Sequence, residues 1–400
     1  MVKGGGVDAL RDGSAFVYNK WLKFVEGAPE VGELVELIDP EGEFLGCGIF
    51  ERVGPVGVRV LSFTKCFSSL YEAIYEKIMR AYELRKRLNY VKEGSYRLIN
   101  SDGDLFSGLI VDVYNDIVVI QSSSQAVDKV MPTIVEVLVE ILGKDITVYE
   151  KSVQRSRRDI GLEFAEKFHR GRKHRTIIVE GNSKFIVDVV KGQKTGFFLD
   201  QRDNRVKLEK YVCGSERVLD LFSYTGGFGI HAANAGAEHV TFVEEDPVAL
   251  EILHENLKLN RARNYSVYGE NVWNVLRKLL ASREKYDAVI VDPPAFIQSV
   301  EGFRKGYEAY MKLYTLASQL VKENGIIFLS SCSFFLRREE FVKLIHKVLI
   351  KQYDYVILEV GRASKDHVLR YADKHLDYLK SSFIYLREML GNKGKGNYWV

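Results

Sequence analysis

From Tyr211 onward the chain alternates strand-type and helix-type segments: RVLDLF, a glycine-rich turn, IHAANAGA, HVTFVEE, PVALEILHENLKLN, YSVYGE, NVWNVLRKLL, YDAVIVDPP, LYTLASQLVKEN, GIIFLSSCS, EEFVKLIHKVLI, YDYVILEV and FIYLRE. This pattern restricts the fold more than any other feature. Parallel strands need long crossovers, and helices are the crossovers that bury both faces of the sheet. The expectation is a doubly wound α/β unit. In such a sheet, ligands bind outside the carboxyl ends of the strands, so chemistry is sought at strand tips.

The first of these strands ends Val218-Leu219-Asp220-Leu221-Phe222 and runs into Ser223-Tyr224-Thr225-Gly226-Gly227-Phe228-Gly229 before a helix. Glycines let a ligand approach the backbone, and a helix start offers unpaired N–H groups. A nucleotide-like ligand fits this turn. The glycines do not follow the GxGxxG register, and a carboxylate on the strand would repel a pyrophosphate. This disfavours a dinucleotide and a dehydrogenase. Asp220 instead favours a cofactor with a cationic or zwitterionic amino acid, which points to S-adenosylmethionine. Glu244, at the tip of the second strand and 24 residues beyond Asp220, is spaced to accept hydrogen bonds from ribose hydroxyls. The bland alternative is that Glu244 and Asp246 cap the helix that begins at Pro247.

Strand four leads into Asp292-Pro293-Pro294-Ala295-Phe296, and strand five into Ser330-Ser331-Cys332-Ser333. Neighbouring tips share one crevice, which predicts Asp292 and Cys332 side by side. A thiolate there can add to carbon 6 of a pyrimidine and make carbon 5 nucleophilic toward an electrophilic methyl group. Asp292 could accept a hydrogen bond from a cytosine amino group and share a proton with ring nitrogen 3. The base that removes the carbon 5 proton is left open between Asp292 and a water. The competing reading of Cys332 is a small buried hydrophobe, the usual fate of a free cysteine.

At 400 residues the chain is long for one core, which predicts two or three domains. Residues 13 to 63 carry four short β-type runs with turn signals, expected to form a small barrel or sandwich. Leu70 to Leu88 reads as a linker helix with Ile74, Ile78, Ala81, Leu84 and Leu88 on one face and Arg85-Lys86-Arg87 in solvent. An α+β module follows, ending in a hairpin at Gly181-Asn182. The expected boundaries are 1–70, 71–190 and 191–400, with a short low-complexity GNKGKGN near the end. No apolar run is long enough for a membrane span and the start lacks a signal-peptide core, so the expectation is a cytoplasmic protein with no membrane partner. Cys47, Cys66, Cys213 and Cys332 have no CxxC spacing and read as reduced thiols, with no metal site. Cys47, Cys66 and Cys213 are taken as small packing residues.

The formal charge is +3, so the distribution of charge matters more than its sum. Residues 151 to 175 hold nine Lys/Arg against three Asp/Glu. Two readings stay open, a solvated basic face or a phosphate-binding strip.

With these residues identified, the chain resembles the bacterial and archaeal S-adenosylmethionine-dependent 5-methylcytosine methyltransferases of large-subunit ribosomal RNA that carry an N-terminal PUA domain. The resemblance covers nearly the whole length. It is carried by the run from Gly192 to Arg205 (GQKTGFFLDQRDNR), by Leu219 to Phe228 (LDLFSYTGGF), by Asp292-Pro293-Pro294 and by Ser331-Cys332-Ser333. It implies an α/β fold with a C-terminal class I (Rossmann-like) methyltransferase domain, an N-terminal PUA-like β-barrel that binds RNA and a central α+β domain. It implies Cys332 as nucleophile with Asp292, a cofactor pocket of Asp220, Phe222, Tyr224, Thr225, Gly226, Glu244, Asn271, Asp292 and Gln201, and a homodimer. Glu244 stands where the family commonly has Asp, and Asn271 where an acidic residue is common. Asp366-His367 and Asp377-Tyr378-Leu379-Lys380 are similar to family segments, with Val368 in place of the usual proline.

RNA contacts are expected from Lys151, Arg155, Arg157, Arg158, Arg172, Lys173 and Arg175 through phosphates. Phe296 or Tyr307 could stack on an extruded base, against the alternative of ordinary packing. The rival functions are uracil carbon 5 or guanine methylation on the same fold, and a ribosome-associated RNA-binding protein whose catalytic domain has decayed.

Overall fold

The structure, a computed structural model, describes residues 1–23 and 27–390; the GNKGKGN run lies outside them. The chain divides into two compact units. One comprises Met1–Ile178, Val187–Leu199 and Lys365–Leu376, the other Val179–Ile186, Asp200–Ser364 and the chain from Asp377.

In the first unit, all four N-terminal β-type runs become strands of one antiparallel sheet, ordered Phe16–Tyr18, Val56–Ser62, Phe44–Phe50, Leu34–Ile38. Val17, Leu37, Val58 and Val60 form its core with Val7 and Leu10 of the helix Gly5–Arg11. Cys47 pairs in register with Ser62, so the chain leaving Ser62 carries Cys66 back toward Cys47. The two sulfurs form a disulfide, with Cα atoms 5.0 Å apart. The reading of four reduced thiols is therefore corrected. Cys213, read as a packing residue, is exposed.

A second sheet has five strands, ordered Ser95–Asn100, Leu109–Tyr114, Ile117–Ser122, Thr147–Ser152 and Ala165–Arg170. The linker helix spans Leu70–Arg87, and Ser69 caps it by accepting from the Glu72 amide. Ile74, Ile78 and Ala81 are buried as expected, but Leu84 is exposed and Arg85 is fully buried. The physical reason is a set of buried acceptors around its guanidinium. Arg85 donates to both oxygens of Asp104, to the Arg97 carbonyl at 2.8 Å and to the Asp366 carbonyl at 2.6 Å. Such pairing offsets the desolvation that would otherwise keep a guanidinium in water. Thr195 of the GQKTGFF run donates to Asp112 at 2.6 Å, a carboxylate also gripped by Arg97.

The second unit contains the expected alternation. The strands of its seven-stranded sheet are β1 (Arg217–Leu221), β2 (His239–Val243), β3 (Tyr265–Tyr268), β4 (Tyr286–Val291), β5 (Val321–Ser331), β6 (Tyr353–Gly361) and β7 (Lys380–Met389). They lie in the order β3-β2-β1-β4-β5-β7-β6, parallel from β3 to β5, with β7 antiparallel to β5 and β6. The helices are α1 (Arg202–Val212), α2 (Gly227–Asn234), α3 (Pro247–Leu259), α4 (Val272–Ala281), α5 (Phe303–Ser318) and α6 (Arg338–Leu349). β1, β4 and β5 are buried on both faces, which explains their continuous apolar runs. One segment departs from expectation. LYTLASQLVKEN was read as helix throughout, yet α5 ends at Ser318 and β5 starts at Val321. Val321 already pairs with Tyr286, and a register shift follows before Ile326 meets Ala288. Pairing to β4 thus overrides the helical pattern of LVKEN. Among the described residues, no helix is long and apolar enough to cross a membrane.

Candidate active site

The loop after β1 is built from unusual backbone. Phe222 has φ 62°, Tyr224 50° and Gly226 87°. Only glycine adopts this region freely, so two of these residues carry strain of the kind often found at functional sites. Hydrogen bonds hold the loop in place. The Ser223 hydroxyl donates to the Asp220 carbonyl at 2.7 Å and accepts from the Val243 amide at 3.0 Å. The Tyr224 amide donates to Glu244 Oε2 at 2.8 Å.

Asp220 is buried, and its Oδ2 accepts from the Gly229 amide at 2.9 Å. Its carboxyl is pushed up to about 8. Burial is the main cause; the Gly229 amide opposes it, and the carboxylates of Asp292 and Glu244 reinforce it. Acidic groups from three adjacent strand tips therefore act on one another. This is the field a cationic ligand would relieve. Thr225 adds a second sign, since its Oγ1 is buried with no hydrogen-bond partner among the described residues. The residues present thus fit S-adenosylmethionine, which brings positive charge and further hydrogen-bonding groups.

Two cofactor-site candidates have structural duties as well. Glu244 accepts from the amides of Glu245 and Asp246, both at 2.9 Å, besides that of Tyr224. Asp246 caps α3 by accepting from the Val248 amide. Asn271 caps α4 through the Trp273 amide and donates to Glu245 at 2.9 Å.

At the tip of β4, Asp292 Oδ1 accepts from Gln201 Nε2 at 2.8 Å and from the Ser330 hydroxyl. Gln201 is steadied in turn by Asn204, which donates to its Oε1 at 2.6 Å. Cys332 is half-buried, not sealed in the core, and its sulfur lies 3.9 Å from the Pro293 carbonyl oxygen. The expected juxtaposition of the β5 cysteine with the Asp-Pro-Pro turn is present. Ser333 fixes the adjoining loop, accepting from the Ile297 amide at 3.0 Å and bonding the Tyr310 hydroxyl at 2.8 Å.

The expected base-stacking residues are engaged elsewhere. Phe296 lies against Tyr310, ring centroids 4.7 Å apart, and against Trp273. Tyr307 stacks on Phe303 and lies under the Lys347 ammonium. Both pack on the core of the second unit. Phe334, which the sequence reading passed over, is 51% exposed two residues beyond Cys332. Lys380, buried at the start of β7, was also passed over as a site residue.

In the first unit the basic strip divides. Arg157 is buried and donates to both Asp128 oxygens, to the Ser122 carbonyl and to the Glu163 carbonyl. Lys151 is buried and donates to the carbonyls of Val189, Val190 and Gly192. These two are corrected from phosphate contacts to structural anchors. Arg155, Arg158, Arg172 and Lys173 are exposed. Arg158 covers the Phe164 ring at 3.9 Å, and Lys173 pairs with Asp116.

Residues 154–330 match the family model of S-adenosylmethionine-dependent methyltransferases, and residues 1–63 match that of the PUA-like domain. A Methanocaldococcus jannaschii protein, provisionally named a ribosomal RNA large subunit methyltransferase, is 36% identical over 96% of this chain and 98% of its own. The ribosomal RNA large subunit methyltransferase I of Aeromonas salmonicida is 31% identical over 97% of this chain and 98% of its own. A Streptococcus mutans structure, provisionally described as a SAM-dependent methyltransferase, shares the fold with a TM-score of 0.79. It is 24% identical and covers 96% of this chain and 99% of its own. The chain belongs to the family of S-adenosylmethionine-dependent methyltransferases with a PUA-like domain that includes the ribosomal RNA large subunit methyltransferase I proteins.

Proposed function

We propose that this enzyme methylates carbon 5 of a cytosine in large-subunit ribosomal RNA. The names of its full-length relatives support the RNA class. The observation that carries a pyrimidine base is the half-buried Cys332 sulfur against the Asp292-Pro293-Pro294 turn, and the family likeness supports cytosine. When bound, S-adenosylmethionine supplies a methyl carbon made electrophilic by its sulfonium. Asp220, Phe222, Tyr224, Thr225 and Gly226 would hold it, with Glu244 toward the ribose and Asn271 toward the adenine.

The Cys332 thiolate forms a bond to carbon 6 of the ring and drives the double-bond pair onto carbon 5. Asp292, held by Gln201 and Ser330, accepts from the exocyclic amino group and shares a proton with nitrogen 3. Once carbon 5 carries the transferred methyl group, loss of its proton, to Asp292 or to a water, re-forms the ring double bond and expels the sulfur. Phe334 offers an exposed ring for stacking an extruded base. Arg155, Arg158, Arg172 and Lys173 neutralise phosphates. A homodimer and a cytoplasmic location belong to the same reading, supported by the family likeness.

The test is RNA carrying 5-fluorocytosine, on which the carbon 5 group cannot leave as a proton. The wild-type enzyme should accumulate a covalent protein–RNA species, and Cys332→Ala should form none. Methyl transfer by the wild type without any adduct would overturn the cytosine reading.

A further inference from the structure

Lys380 is 1% exposed at the start of β7. It pairs in register with Ser331, and its ammonium donates to the Ser333 carbonyl at 2.6 Å and the Tyr378 carbonyl at 2.7 Å. Both neighbours of Cys332 in sequence thus touch this lysine. A buried ammonium is costly unless a charge compensates it. Among the described residues, no carboxylate lies within ion-pairing distance of Lys380, and the nearby Asp377 is paired to Arg338 at 2.9 Å. Burial lowers the Lys380 ammonium to about 8, and the foremost influence raising it again is Cys332.

We propose that Lys380 is a positioning residue for Cys332: its ammonium, pinned by the two carbonyls, holds the sulfur as a thiolate ready to add to the pyrimidine. This rests on the reaction proposed above. The thiol proton passes to solvent water before the sulfur–carbon bond forms, and no other bond changes in that step. The surrounding charges make the lysine necessary. Asp292, at the tip of β4, disfavours a second negative charge in the crevice. Arg338 and Glu340 of α6 and Asp377 act on Lys380 with opposed signs. Tyr310 and Tyr314 of α5, both raised by burial, stay neutral. Lys380 is then the cation that favours sulfur ionisation.

The experiment follows the rate of iodoacetamide alkylation of Cys332 against pH, without RNA, in the full chain carrying Cys213→Ala. The wild-type inflection is expected below the ordinary thiol value of about 8.5. Lys380→Met should raise it by about one unit, cutting the thiolate at neutral pH about ten-fold, and Lys380→Arg should restore most of it. Methyl transfer by Lys380→Met should lose kcat about ten-fold with KM for S-adenosylmethionine unchanged. An unshifted inflection in folded Lys380→Met, or a wild-type inflection at or above that of a free thiol, overturns the proposal. Alkylation needs no methylation, so a failure of the cytosine reading shows separately in the 5-fluorocytosine experiment.

Discussion

Asp220 shows how one buried carboxyl ties stability to function. Its folded value is about 8 against an ordinary 3.8, so between these values the folded chain keeps a proton that the unfolded chain releases. Stability therefore falls as pH rises across that window and levels off above it. Asp220→Asn removes this dependence while retaining an acceptor for the Gly229 amide. Its melting temperature relative to wild type should climb from pH 4 to pH 8 and then stay constant, as read by thermal melts in a buffer series. Parallel curves would show that Asp220 is ionised throughout. At this scale the sequence was informative about residue type and poor about environment. Asp292 and Cys332 were legible because a strand tip has a fixed place in a parallel sheet. Arg85 and Arg157 were misread as surface charges because their acceptors come from distant segments: Asp104 and Asp366 for one, Asp128 and Ser122 for the other.

Among the elements, α2 depends most on a single position. A Cβ on Gly229 would lie 2.2 Å from the Phe242 ring and 2.9 Å from Asp220 Oδ2, so the helix can approach β1 and β2 this closely only with glycine there. Gly229→Ala should cost about 1 to 3 kcal/mol from overpacking, measured by the urea midpoint. It should also weaken S-adenosylmethionine binding in calorimetry, because the displaced amide no longer holds Asp220. The strands of the seven-stranded sheet, apart from the start of β5, were readable as apolar runs bounded by helices. The strand Ala165–Arg170 was not, since AEKFHR has little apolar character and is ordered by pairing with Thr147–Ser152. The same dependence on a partner strand turned LVKEN from helix into β5.

For the whole molecule, charge and covalent linkage are matters of distribution. A formal +3 predicts nothing about RNA, but the exposed part of the strip does. Arg158→Ala should weaken rRNA binding across sequences and reduce the salt slope of log K by about 1. Arg157→Ala should instead lower the melting temperature, because it strands Asp128 and the Ser122 and Glu163 carbonyls. Filter binding at a series of salt concentrations, with melts alongside, separates the two, and equal salt slopes for Arg158→Ala and wild type would remove Arg158 from the interface.

The sequence by itself determined the doubly wound sheet, the glycine-rich loop after β1 and the neighbouring strand tips that carry Asp292 and Cys332, because the hydrophobic pattern places these strand ends at one edge of a parallel sheet. Only the tertiary structure decided that Cys47 meets Cys66, that Arg85 and Arg157 go inside, and that Lys380 reaches the Ser333 carbonyl next to Cys332. Those outcomes depend on contacts between segments far apart in the chain, where burial is acceptable only if a distant partner supplies the missing bond.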